Sequence, residues 1–238
     1  MKEELSVMKR PGGPLVTRSL PYIWIVDVSS SMAQDGKIQA LNQSIRDAIP
    51  LIQKEAEDNA HAELVVQVLK FSTGAEWHIA QPTPIAQFKW TDLNAGGVTD
   101  MGKAFLMVAE QLRMPPMPER GMCPVLVLIS DGQPTDDFES GIRAILAQPW
   151  GKKSIRVAVA IGKDANLEVL EKFISHPELQ PVRANNPEAL AHCIKWATTV
   201  PYRKSSVPRI HPAPSGADNN MPVPIPFNEK VPKDADIW

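Results

Sequence analysis

Tyr22-Ile23-Trp24-Ile25-Val26-Asp27-Val28-Ser29-Ser30-Ser31-Met32 is an unbroken apolar run that ends in an acid, with hydroxyls at the alternate positions Ser29 and Ser31. A run apolar on both faces reads as a strand covered on both sides, as parallel strands are in α/β proteins. Ligands of open α/β sheets bind just beyond the carboxyl ends of the strands. Asp27, Ser29 and Ser31 are therefore expected to offer oxygen to that crevice from a short loop. Val125-Leu126-Val127-Leu128-Ile129-Ser130-Asp131-Gly132 ends in the same way. Two buried strands that bring acids and hydroxyls to one sheet edge suggest a site for a hard cation.

Outward from these strands, helical and extended patterns alternate. Ile38, Leu41, Ile45, Ile49 and Ile52 recur at helical spacing after Gly36, and Pro50 inside that pattern predicts a kink or break. Residues 62–71 are rich in β-formers, and the turn Ser72-Thr73-Gly74 predicts an antiparallel edge strand at 76–80. Asn94-Ala95-Gly96-Gly97-Val98-Thr99-Asp100 leads into a helix that buries Met101, Ala104, Phe105, Val108 and Leu112, with Thr99 as its N-cap candidate. Asp136 and Glu139 have the spacing of an N-cap pair that opens a helix through Ile142 and Ile145. Further strands at 155–161 and 181–184 and helices through Leu170 and Ile194 complete the alternation. The expected fold is α/β: a doubly wound, mostly parallel six-stranded sheet of Rossmann-like type with helices on both faces.

At 238 residues, 43% hydrophobic and 22% charged, the chain can bury one substantial core. The division expected is a lead-in at 1–17, a domain at 18–200 and a proline-rich extended or disordered tail at 201–238. Nothing from Tyr202 onward is expected to be needed by the core, and Met221, Val223, Ile225 and Phe227, each separated by proline, are expected to form a docking arm. A net charge of -2 gives no global field for nucleic acid or an anionic membrane. Lys152, Lys153 and Arg156 read as a solvated strand entry. Met1-Lys2-Glu3-Glu4 lacks a signal-peptide core, and Cys123 and Cys193 read as two reduced thiols, so a cytoplasmic location is expected. No His-x-x-x-His or Cys-x-x-Cys spacing points to zinc.

Asp27-x-Ser29-x-Ser31, Thr99 and Asp131, in that order, resemble the metal-ion-dependent adhesion site of von Willebrand factor A domains. Gly97-Val98-Thr99-Asp100-Met101-Gly102-Lys103-Ala104 is similar to that family's Gly-x-Thr-x-x-Gly-x-Ala element. Arg18-Ser19-Leu20-Pro21 and Ser130–Asp137 resemble, more narrowly, the TerY-type A domains of bacteria. Ser30 stands where the family usually has glycine, which removes no ligand. The resemblance implies that Ser29, Ser31 and Thr99 are direct metal ligands and that Asp27 and Asp131 act largely through waters and hydrogen bonds. It implies Mg²⁺, with Mn²⁺ or Ca²⁺ as other occupants, and a protein partner whose Asp or Glu completes the coordination. For TerY-type domains it further implies a protein kinase and a metal-dependent serine/threonine phosphatase in stress or tellurium-resistance settings.

Each motif taken alone reads as a turn or a cap; together they read as a metal site. The function expected is a non-enzymatic, metal-dependent protein-interaction module. One alternative is an accessory subunit of a separate AAA+ or chelatase-type ATPase, since the chain has no phosphate loop of its own. Another is a phosphotransfer enzyme with Asp27 as nucleophile, but that chemistry needs a second acid where Ser29 stands.

Overall fold

A computed structural model describes residues 18–59, 62–177 and 179–206. The lead-in before residue 18 and the docking arm expected at 221–227 lie outside the described residues. The apolar run of the first paragraph is β1 (Arg18–Asp27), and it occupies the middle of the sheet. It is followed by a 3-10 turn (Ser30–Gly36), α1 (Lys37–Glu57), β2 (Ala62–Ser72), β3 (Gly74–Pro84) and a second 3-10 turn (Ile85–Gln87). Then come α2 (Met101–Gln111), β4 (Val125–Ser130), α3 (Phe138–Ala147), α4 (Pro149–Lys153), β5 (Ile155–Ile161), α5 (Leu167–Ile174), β6 (Val182–Ala184) and α6 (Pro187–Ser206).

The six strands lie in the order β3-β2-β1-β4-β5-β6. All neighbours are parallel except β2 and β3, which the turn at Ser72–Gly74 joins as an antiparallel pair. Strand order reverses at β1, which pairs with β2 on one side and β4 on the other. Crossovers between parallel strands are right-handed, so connections leaving in opposite directions put their helices on opposite faces. Accordingly α1 packs along α6, while α2 packs on α3 and reaches α5 through Phe105, stacked on Phe173 with ring centroids 5.1 Å apart. From Tyr22 to Val26 no β1 side chain is more than 1% exposed. Each large apolar side chain buried this way contributes about 1.5–3 kcal/mol, which is why this run sits at the centre and not at an edge.

Four local expectations are corrected. Helix α1 continues through Pro50 without a break to Glu57. Pro50 lies on the exposed face, where water can serve the carbonyl it leaves unbonded, and Ile49 and Ile52 stay buried on the other side. Strand β3 is longer than 76–80 because pairing with β2 starts at the turn itself. Arg156 is buried, not solvated: its guanidinium donates to the carbonyls of Phe173, Ile174 and Gly151, fastening the end of α5 to β5. Helix α6 crosses Pro201 and runs to Ser206, past the tail boundary expected at 201.

The last turn of α6 belongs to the core. Tyr202 is 1% exposed, and its hydroxyl donates to the carbonyl of Ala62 at the start of β2, 2.7 Å away. Tyr22 makes the matching bond from the sheet, donating to Thr198 O at 2.7 Å. Truncation ahead of Tyr202 is therefore expected to destabilise the domain. In denaturant titrations Tyr202→Ala should lose about 3–5 kcal/mol, and Tyr202→Phe about 1–3 kcal/mol by orphaning the Ala62 carbonyl. Unchanged midpoints in both variants would place the end of the core before this turn.

Candidate metal centre

Strands β1 and β4 end side by side at the reversal of strand order, and the acids of their ends meet there. Asp27 is wholly buried. One of its oxygens accepts the Ser29 N–H at 2.8 Å, and the other accepts the Ser130 hydroxyl at 2.5 Å. Ser130 in turn accepts the N–H of Gly132 at 2.8 Å, so its hydroxyl both donates and accepts. The first of these bonds is an Asx-type turn that bends the chain out of β1. It leaves the side chains of Ser29 and Ser31 together, with hydroxyl oxygens 3.0 Å apart.

Thr99 arrives on a third segment, tied in from several sides. Gly96 N–H donates to Val28 O at 2.8 Å, and Ser30 N–H donates to Gly97 O at 3.0 Å, joining this loop to the one that follows β1. Thr99 N–H donates to the Thr135 hydroxyl at 3.1 Å, and Thr135 N–H returns a bond to Thr99 O at 2.9 Å. The Asp100 carboxylate accepts Gly74 N–H at 2.7 Å and the Lys103 ammonium at 2.6 Å, which hold its pKa below the usual carboxylate range.

Thr99 does not cap α2 as the sequence led us to expect; Asp100 stands at the N-cap position without a capping bond of its own. The N-terminus is served from elsewhere. Asp136 accepts the N–H groups of Gly102 at 2.7 Å and Lys103 at 3.0 Å, one on each carboxylate oxygen. Asp137, not Asp136, caps α3 by accepting Ser140 N–H at 3.0 Å. Gly102 is required by this closeness, because a Cβ there would lie 2.5 Å from the Asp137 carbonyl. The roles of Ser130, Thr135 and Asp136 were not read from the sequence. Their bonds join residues about a hundred or about thirty-five positions apart, and no local spacing encodes such a contact.

The structure thus brings Asp27, Ser29 and Ser31 together on one loop and carries Thr99 and Asp131 to the same sheet edge. Asp131 is 2% exposed, and its Oδ1 has no hydrogen-bond partner among the described residues. A buried carboxylate oxygen left unbonded is costly unless something else satisfies it. Burial pushes the pKa of Asp27 up to about 6 against the pull of its hydrogen bonds to Ser130 and Ser29, and the neighbouring charge of Asp131 adds to the rise. Two buried acids, one of them with an orphaned oxygen, and three hydroxyls make up an all-oxygen set at this sheet edge. Such a set fits a hard divalent cation.

The family model for the von Willebrand factor type A domain matches residues 23–193. No curated protein matches the chain. Among solved structures, the ArnB paralog VWA2 from Sulfolobus acidocaldarius is 20% identical with a TM-score of 0.55, over 74% of this chain and 44% of that one. A von Willebrand factor type A protein from Catenulispora acidiphila is 17% identical with a TM-score of 0.57, over 77% and 42%. Proximal thread matrix protein 1 from the mussel byssus, solved with a zinc-occupied MIDAS motif, is 15% identical with a TM-score of 0.57, over 76% and 48%. The chain spans less than half the length of each of these neighbours. At such identities they show the fold alone.

The buried acid generates a pH test. In metal-free protein the folded-state pKa of Asp27 is about 6 against 3.8 for the free group. Between those values the folded state keeps a proton that the unfolded chain has lost, so stability falls as pH rises through about 4 to 6. Relative to Asp27→Asn, which mimics the protonated acid, wild type should lose about 3 kcal/mol across that window. Chemical denaturation in chelator at a series of pH values measures it. Parallel profiles for the two proteins would show that Asp27 is not desolvated.

Proposed function

The chain belongs to the von Willebrand factor type A domain family, and we propose that it is a protein-interaction module that captures a partner's carboxylate through a divalent cation. The observation that carries this reading is Asp131 Oδ1, buried and without a hydrogen-bond partner at the end of β4, where its charge acts on Asp27. Ser29, Ser31 and Thr99 would hold the cation directly, with Asp27 and Asp131 behind them. Hydroxyls are neutral ligands, so a cation held by them keeps much of its charge. When bound it supplies a Lewis-acid anchor for an acidic side chain. The oxygen-only set favours Mg²⁺, with Mn²⁺ and Ca²⁺ as close competitors. The zinc of the mussel protein makes Zn²⁺ the further ion to test.

The chain's own residues support binding over chemistry. Asp27 is wholly buried and each of its oxygens is held by a protein donor, Ser29 N–H or the Ser130 hydroxyl, which suits a supporting acid better than an exposed nucleophile. Ser29 and Ser31 bond each other, and no histidine is among the hydrogen-bond partners found for either hydroxyl. A role beside a bacterial kinase and a metal-dependent phosphatase is the finer reading. It rests on the likeness of Arg18–Pro21 and Ser130–Asp137 to TerY-type domains and on nothing further. An accessory role to a separate ATPase has no comparable local support. Cytoplasmic action is part of the same reading and rests only on the sparse cysteine usage of the sequence.

Calorimetric titration with Mg²⁺, Mn²⁺, Ca²⁺ and Zn²⁺ tests the site. Asp131→Ala should abolish binding while leaving the metal-free melting temperature equal or higher, since it removes one of two neighbouring buried acids. Thr99→Ala should weaken a partner complex that EDTA dissolves in wild type. A complex indifferent to EDTA would put the interface on another face. Metal-dependent turnover of phosphate esters, lost in Asp27→Ala, would overturn the non-enzymatic reading.

A further inference from the structure

Ser30 stands between the two serines of the loop after β1 that are read as ligands, and is itself given no ligand role. It is exposed, yet it makes two bonds to a single atom. Its N–H donates to Gly97 O at 3.0 Å, and its hydroxyl donates to the same carbonyl at 2.8 Å. Both lone pairs of that carbonyl are thereby engaged by one residue. Gly97 is pressed from the other side by the turn after β2. At φ +88° it occupies the left-handed region, and a Cβ there would lie 2.5 Å from the Thr73 hydroxyl oxygen. That hydroxyl accepts the N–H of Val98 at 3.3 Å. Gly97 and Val98 are therefore clamped between Ser30 and Thr73, and Thr99 follows them directly.

We propose that Ser30 is a positioning residue that sets divalent-cation affinity by holding the Thr99 loop against the Ser29/Ser31 loop before the cation arrives. The proposal rests on the metal-site reading above. The two hydroxyls after β1 and the hydroxyl of Thr99 belong to separate segments, and a cation bound by both must find them already in register or order them on binding. Ordering a loop at the moment of binding lowers apparent affinity. The backbone bond from Ser30 N–H is available to any residue. The second bond needs a hydroxyl, and it is side-chain chemistry that glycine or alanine at this position cannot supply. The site thus spends one exposed serine on pre-organisation.

The test compares Ser30→Ala, Ser30→Gly and Ser30→Thr with wild type by calorimetric titration of Mg²⁺ and Mn²⁺, and by amide exchange of the 94–100 segment without metal. Loss of one neutral hydrogen bond predicts a three- to tenfold weaker Kd, about that order, for Ser30→Ala. Ser30→Gly should be weaker still, because it also frees the backbone. Ser30→Thr keeps the hydroxyl and should restore both affinity and exchange protection at Gly96, Val98 and Thr99. Metal-free melting temperatures should move little, since Ser30 is exposed. Wild-type affinity in Ser30→Ala would overturn the proposal, as would weakened binding in Ser30→Thr equal to that in Ser30→Ala. Absence of cation binding in wild type would instead sink the metal-site reading on which it stands.

Discussion

A carboxylate buried at the seam between two parallel strands constrains everything near it. Asp27 lies at the carboxyl end of the central strand with no solvent to share its charge, so its oxygens must be bonded by the protein. The protein meets that demand locally through Ser29 N–H and across the seam through the Ser130 hydroxyl. The first bond turns the chain so that Ser29 and Ser31 share one place; the second fixes the register of the two loop beginnings, and with it the position of Asp131. A polar arrangement of this kind is stable only when every member is satisfied. Here one member, Asp131 Oδ1, is left over. That leftover oxygen is the one the proposed cation would serve.

Around the seam the protein has built support that does not itself reach the crevice. Asp136 serves the N-terminus of α2, Thr135 brackets the backbone of Thr99, Asp100 fastens the turn after β2, and Ser30 joins the loops after β1 and before α2. Weak metal sites made of neutral hydroxyls gain most from such support, because little direct charge attraction is available to order them. The neighbouring helix faces are ordinary by comparison. They cover the sheet, and α6 closes one of them with Tyr202.

Much of this was legible in the sequence, and the reason is periodicity and order. β1 and β4 announce themselves as apolar runs ending in acids, and their alternation with helical patterns forces a doubly wound sheet. The residues beyond the strand ends, Asp27, Ser29, Ser31 and Asp131, follow from where such sheets bind, whereas Thr99, in the loop before α2, comes only from the family resemblance. What escaped depends on contacts remote in sequence. Asp136 has the spacing of a cap for the helix that follows it, yet it caps α2, because the loop folds back onto Gly102. Arg156 sits in a basic cluster, yet three carbonyls draw it inward. Pro50 predicts a kink or break and residue 201 is the expected start of the tail, yet packing of the flanking residues carries both helices on through Pro50 and Pro201. Tertiary burial overrides local propensity in each case.

The central claim is that the oxygens at the ends of β1 and β4 hold a divalent cation. The most direct measurement is paramagnetic broadening of backbone amide resonances on addition of Mn²⁺ to metal-free protein. Loss of signal centred on Ser29, Ser31, Thr99 and Asp131, reversed by excess Mg²⁺, is the result this account predicts. Broadening centred elsewhere on the domain, or none at these four residues, would contradict it.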